Sequence, residues 1–219
     1  MTQQKIDFSI RKALNNSWDI FVQNPKFYLI LGFVFFIFNF FIEKNSKNTL
    51  LLIIIFILSL FWSYAASAIS ISITNNQNQN LDISSIQNYF PSIKQVLFFV
   101  LVGITSGIVI LGGFIMLIIP GIYFIVRLTF SNMSYVDKQE GIIASLRNSW
   151  NLTNNNFWTV SKTLFISLVF FISGSVFYGL VISFTYPIAI LIMAQLYNAL
   201  SRNNLAEQSI VEQPLELES

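Results

Sequence analysis

The stretch LRNSWNLTNNNFW, Leu146–Trp158, is rich in asparagine, holds two tryptophans and stands directly before a long apolar run. A second stretch, LNNSWDIFVQNPKF, Leu14–Phe27, repeats its opening five letters almost intact at an offset of 132 residues. On a helix over 9–22, Ile10, Ala13, Leu14, Ser17, Trp18 and Phe21 share one face at three- and four-residue spacing. Arg11, Lys12, Asn15, Asn16 and Asp19 fall elsewhere. In the second copy Ile142, Ile143, Leu146, Trp150 and, one turn on, Thr153 or Asn154 trace a similar stripe, opposed by Arg147 and Asn148. A helix lying in the headgroup plane has this pattern, and Trp suits that depth because its ring is apolar while its N–H needs a polar partner. Trp18, Trp150, Trp158 and Phe157 are therefore expected at the interface, facing lipid. The runs NNN and QNP end each surface helix so that the chain can turn into the bilayer.

The rest of the composition agrees. Hydrophobic residues make up 54% of the 219 and charged residues 10%, where a soluble domain carries about 25% charged. Such a chain lacks the polar surface to stay in water and belongs in lipid. A net charge of +2 with scattered Lys and Arg gives no nucleic-acid footprint. With no Cys and no His, disulfides, thiolate chemistry and the usual metal ligands are removed, and no cofactor is expected. No signal peptide is read, because the first apolar run begins only at Phe27 and no small-residue cleavage site follows it.

A spanning helix needs roughly 20 apolar residues. Four regions supply them: Phe27–Ile42, Leu50–Ile73, Lys94–Val136 and Val160–Leu200. The third is too long for one helix and is divided at Gly112-Gly113; the fourth is divided near Thr185-Tyr186-Pro187. The expected fold is all-α, a single membrane domain over 1–202 with six transmembrane helices, and 203–219 as a disordered cytoplasmic tail. Ile83, Ile86, Tyr89 and Phe90 give a fainter third stripe, so the domain reads as an internal repeat of amphipathic interfacial helix plus hairpin, at about 9–73, 82–136 and 140–200. Nine of the twelve basic residues (Lys5, Arg11, Lys12, Lys26, Lys94, Lys138, Arg147, Lys162, Arg202) fall on the side of the termini, and Lys44 and Lys47 fall opposite. The positive-inside rule then puts both termini in the cytoplasm.

Residues 120–158, PGIYFIVRLTFSNMSYVDKQEGIIASLRNSWNLTNNNFW, resemble the signature of the membrane domain found in some glycerophosphoryl diester phosphodiesterases and in related stand-alone bacterial integral membrane proteins. Pro120, Gly121, Ile122, Tyr123, Arg127, Gly141, Ser149, Trp150, Leu152, Thr153, Phe157 and Trp158 carry the likeness. Those phosphodiesterases also have a soluble catalytic barrel, for which this chain has no residues to spare. The resemblance thus implies a bacterial inner-membrane architecture and not hydrolysis.

Catalytic residues are not expected. Asp137 and Glu140 are the only acids outside the tail that lie close in sequence, and beside Lys138 they read as a solvated turn. Arg127 is the one charge inside a span, a functional candidate by its cost in hydrocarbon. Its long stem is expected to reach headgroup phosphate. Pro120-Gly121 is expected to kink the same span. Gly103 and Gly107 form a GxxxG suited to close helix packing, within the chain or in a homodimer. The functional expectation is a non-enzymatic protein of envelope or lipid organisation, whose partners are the bilayer and its anionic headgroups. The alternatives are a small transporter or channel, and an accessory, immunity or regulatory subunit with a membrane-protein partner.

Overall fold

A computed structural model describes residues 8–44, 48–75, 89–176 and 181–211. All regular structure among them is helical: α1 Ile10–Gln23, α2 Pro25–Lys44, α3 Thr49–Asn75, α4 Ile93–Met116, α5 Ile118–Leu128, α6 Ser131–Lys138, α7 Ile142–Thr153, α8 Phe157–Val176 and α9 Ile182–Val211.

Local chemistry sets several boundaries. The Lys12 amide donates to Ser9 Oγ at 3.4 Å to start α1, and the Asn24 amide closes it on the carbonyls of Ile20 and Phe21. Pro25 then opens α2, at a position where its missing N–H costs nothing. A reciprocal capping box opens α4: the Gln95 amide donates to Ser92 Oγ, and the Ser92 amide to Gln95 Oε1 at 2.8 Å. Gln139, left-handed at φ 53°, ends α6.

The core forms around α9. Leu191, Ile192, Ala194, Leu196 and Tyr197 are wholly enclosed, packed among α1, α2, α3 and α8. Tyr64, Phe99, Val102, Val126, Phe130, Tyr135 and Val160 extend that core to α4, α5, α6 and α8. The outward faces carry Ile53, Ile54, Phe56 and Leu58 on α3 and Ile104, Ile108 and Leu111 on α4, all exposed. Among the described residues α2, α3, α4 and α9 are long and apolar enough to cross a membrane, and a fifth span results if α7 and α8, bent by 104°, count as one.

Several expected boundaries move. Helix α4 runs straight through Gly112-Gly113, and the chain reverses at Leu117, a single extended residue with φ −168° and ψ 160°. Gly113 serves contact, not turning, and Gly112 faces open space. A Cβ on Gly113 would lie 2.5 Å from Phe124 Cδ2, and one on Gly121 2.5 Å from Phe114, so the two arms interlock there. Pro120 is consequently no kink: it sits in the first turn of α5, where an N–H is not needed. Pro187 does not divide the last region either, since it lies inside α9, which begins at Ile182. Residues 203–211, read as tail, continue that helix, and 212–219 lie outside the described residues. A Cβ on Gly103 would lie 3.5 Å from Asn132 Nδ2, but one on Gly107 would meet nothing within 4 Å, so the two do not act as one packing motif among the described residues. Of the faint third stripe, Ile83 and Ile86 lie outside the described residues.

Among the described glycines, the tightest approach is that of α2 to α9 at Gly32. A Cβ on Gly32 would overlap the Ser183 carbonyl and lie 2.6 Å from Ser183 Cα. Ser183 is four residues before Pro187, so its carbonyl has no helical N–H to accept.

Candidate functional site

Reversal at Leu117 carries α5 back along α4, and that return places Tyr123 and Arg127 one helical turn apart on one face. Helix α7 then brings Ser149, Trp150 and Thr153 against them, and the bend into α8 adds Phe157. The Arg127 guanidinium carbon lies 4.9 Å from the Tyr123 ring centroid, 5.0 Å from Trp150 and 5.9 Å from Phe157. The walls also contact one another: Tyr123 meets Trp150 edge-on at 5.8 Å and stacks on Phe157 at 5.4 Å. Arg127 is 7% exposed, and its Nε and Nη1 are enclosed without a hydrogen-bond partner. Rather than extending to the surface, the charge is boxed by aromatic faces. A guanidinium suits this better than an ammonium, because it is planar, delocalised and more weakly hydrated.

The main chain beneath the cage is held by two hydroxyls. Ser149 Oγ donates to the Arg127 carbonyl at 2.8 Å and accepts from the Phe130 amide at 3.1 Å. Thr153 Oγ1 donates to its own helix carbonyls and stands 3.4 Å from the same Arg127 oxygen. Ser149 thereby bridges the break between α5 and α6, where Phe130 caps α6 with no side-chain bond of its own.

A second group of polar side chains closes one end of the bundle. Tyr197 Oη donates to Asp137 Oδ2 at 2.8 Å, and Asn198 Nδ2 to the Ile71 carbonyl at 2.8 Å and to Thr74 Oγ1 at 2.7 Å. Gln139 Nε2 reaches Tyr64 Oη, while Gln95 Nε2 donates to Gln139 Oε1 at 3.2 Å. Arg202 binds Asn75, and Gln195 Nε2 ties α1 to α9 through Ser17 Oγ at 2.7 Å and the Ala13 carbonyl at 3.2 Å. A cleft of about 330 Å³ opens here between Tyr64, Ser72, Tyr89, Gln95 and Asp137. The two neighbouring acids are engaged separately, Asp137 by Tyr197 and Glu140 by Asn148 Nδ2 at 2.5 Å, so they do not share a site.

Of the residues expected at the interface, Trp18 is 55% exposed and Trp158 71%. Phe157 and Trp150 are half-buried, the latter as a wall of the cage. The inward face of α7 is Ser145, Ser149, Leu152 and Thr153; of the expected stripe, Ile142 and Leu146 pack partly against the core and Thr153 is buried, while Ile143 and Asn154 point outward. Sequence reading missed the cage itself. Its one local signal was Tyr123 four residues before Arg127.

Residues 90–213 match the family model described as a domain of unknown function, DUF7847. No curated protein and no solved structure matches the chain. The matched stretch is more than half of the 219 residues and holds α4 to α9 with the whole arginine cage, and the protein therefore belongs to the DUF7847 domain family.

Proposed function

We propose that this is a non-enzymatic integral membrane protein of the bacterial cytoplasmic membrane that organises lipid, with its polar end and both termini at the anionic cytoplasmic leaflet. One observation carries the reading. Lys12, Lys94, Lys138 and Arg202 surround the hydrogen-bonded end of the bundle, all exposed, whereas the flanks beyond it present uncovered Ile, Leu and Phe. Each Lys or Arg near an anionic surface contributes about 1 kcal/mol of attraction. The Gln95–Gln139 bond supports the sidedness, because it sets the two feet of the α4–α6 hairpin level, so the chain returns to the side it left.

The six-segment repeat is part of the proposal for its outer units. Helices α1, α2 and α3 start at residues 10, 25 and 49, and α7, α8 and α9 at 142, 157 and 182, an offset of 132 or 133. The buried positions recur too: Ala13, Ser17 and Phe21 stand where Ser145, Ser149 and Thr153 stand in the second unit. In this reading the likeness to phosphodiesterase membrane domains is one of architecture, and the arginine cage is the scaffold that fixes the second surface helix to its neighbours.

The test is thermal unfolding of the purified protein in vesicles of zwitterionic lipid with and without phosphatidylglycerol. Anionic lipid should raise the Tm, and Lys94→Glu with Lys138→Glu should cancel most of the gain. Equal Tm in both lipids would refute the headgroup reading.

A further inference from the structure

We infer that the α4–α5 hairpin is re-entrant: it enters the bilayer from the polar end and turns back inside the hydrocarbon without emerging into water on the other face. The inference rests on the membrane reading above and commits to one occupant for the hairpin tip, lipid acyl chains.

The contrast between two turns of the same chain supplies the first argument. The α2–α3 connection reads Glu43-Lys44-Asn45-Ser46-Lys47-Asn48, six polar residues suited to water. From Gly107 to Ile122, across the whole α4–α5 reversal, no residue is charged and none carries an amide or hydroxyl side chain. A water-exposed tip of that composition would present a contiguous apolar patch. Ile115, Met116, Leu117, Ile118 and Ile119 are each between 68% and 85% exposed, with no other part of the described residues covering them.

Backbone economy supplies the second. Hydrocarbon does not tolerate open loops, because every unpaired N–H or C=O there is expensive. This reversal spends a single non-helical residue. The Leu117 amide donates to the Gly113 carbonyl at 3.0 Å, the Gly121 amide to the Leu117 carbonyl at 3.3 Å, and Pro120 has no N–H to satisfy, which leaves the Ile118 and Ile119 amides and the Phe114, Ile115 and Met116 carbonyls as the end groups, all gathered at the tip near the far boundary. The glycine and phenylalanine pairs, Gly113 with Phe124 and Gly121 with Phe114, hold the arms together near the tip.

Length supplies the third. From Val96, the first apolar residue after the capping box, to Met116 the helix rises about 31 Å at 1.5 Å per residue. At an average tilt of roughly 20° that becomes about 29 Å, against a hydrocarbon thickness of about 30 Å. The tip therefore stops at or just inside the far boundary.

The absence of native cysteine makes the test clean. Single variants Asn48→Cys, Lys138→Cys, Leu58→Cys and Met116→Cys are placed in lipid nanodiscs, one copy per disc, where both faces meet water, and are treated with a charged maleimide. Asn48→Cys and Lys138→Cys should react readily, and Leu58→Cys and Met116→Cys at least about tenfold more slowly, since only a hydrated thiolate is modified. Ile119→Cys repeats the reading at a second tip position. In discs of short-chain lipid, the thinner hydrocarbon should expose Met116→Cys while Leu58→Cys stays protected. If Met116→Cys reacts as fast as Asn48→Cys in discs of ordinary thickness, the hairpin emerges and the inference is overturned. Protection that persists in thin discs overturns it as well, because something other than acyl chains then covers the tip. Reaction at Leu58→Cys would instead sink the membrane reading itself.

Discussion

Replacing Ser149 with alanine should be among the most damaging one-atom changes in this protein. Ser149 is wholly buried, and its hydroxyl holds two backbone groups from the break between α5 and α6, the Arg127 carbonyl at 2.8 Å and the Phe130 amide at 3.1 Å. Removing it strands the Phe130 N–H, which costs about 1–3 kcal/mol when buried. The Arg127 carbonyl loses less, because Thr153 Oγ1 remains 3.4 Å away. Interhelical hydrogen bonds in bilayers average only about 0.6 kcal/mol, but that mean includes groups able to find new partners, and the Phe130 N–H makes no bond besides the one to Ser149 among the described residues. The expected loss is about 2 kcal/mol, a fall in Tm of about 4–8 °C for a chain of this size. Ser17, at the matching position of α1, accepts one bond from Gln195, which also holds the Ala13 carbonyl. Ser17→Ala should therefore cost about 0.5–1 kcal/mol. Thermal unfolding of both variants in detergent micelles, followed by intrinsic tryptophan fluorescence, separates the two. Equal losses, or a Ser149→Ala shift within experimental scatter of the parent, would refute the bridging role. A Ser149→Ala/Thr153→Ala double variant should lose more than the sum of the single losses, because the Arg127 carbonyl is then wholly unpaired.

Arg127→Lys should unfold at lower temperature than Arg127→Met, although lysine keeps the charge. The cage offers three ring faces to a plane and no acceptor to Nε or Nη1, so a more strongly hydrated ammonium loses more there than a thioether does. A more stable lysine variant in the same micelle assay would show that charge alone matters. Gly32→Ala should separate α2 from α9, since the new methyl meets the Ser183 backbone, which cannot rotate away; a loss of about 1–3 kcal/mol is expected, with faster hydrogen exchange confined to the turns of α2 around Gly32 and the first turn of α9. Unchanged exchange would mean the helices are not in that contact. Asn198→Leu should cost about 1–3 kcal/mol, because it leaves the buried Thr74 hydroxyl and Ile71 carbonyl without their donor, and a leucine tolerated without loss in Tm would contradict the geometry.

How much could be read in advance divides by range. The amphipathic α1 and the long apolar runs were legible because three- and four-residue spacing and mean hydropathy are properties of neighbouring residues. Both also survive any rearrangement of the helices. Glycine and proline misled for the opposite reason. Gly112-Gly113 and Pro187 carry strong local turn signals, yet Gly113 admits Phe124 at close range within a continuous helix, and the proline sits inside α9, where Gly32 gives the freed Ser183 carbonyl room. Trp150 was legible as an amphipathic residue but not as a cage wall, since an interfacial Trp and a Trp packed on a guanidinium occupy the same stripe of a helix.

By itself the sequence determined that this chain is helical and apolar in long segments, because burial of apolar surface follows from composition along the chain. Only the tertiary structure decided where α4 reverses and what surrounds Arg127. Residues 123, 127, 149, 150 and 157 come together through a one-residue reversal at Leu117 and a 104° bend after α7. Those two angles are set by packing between distant segments, which no local pattern encodes.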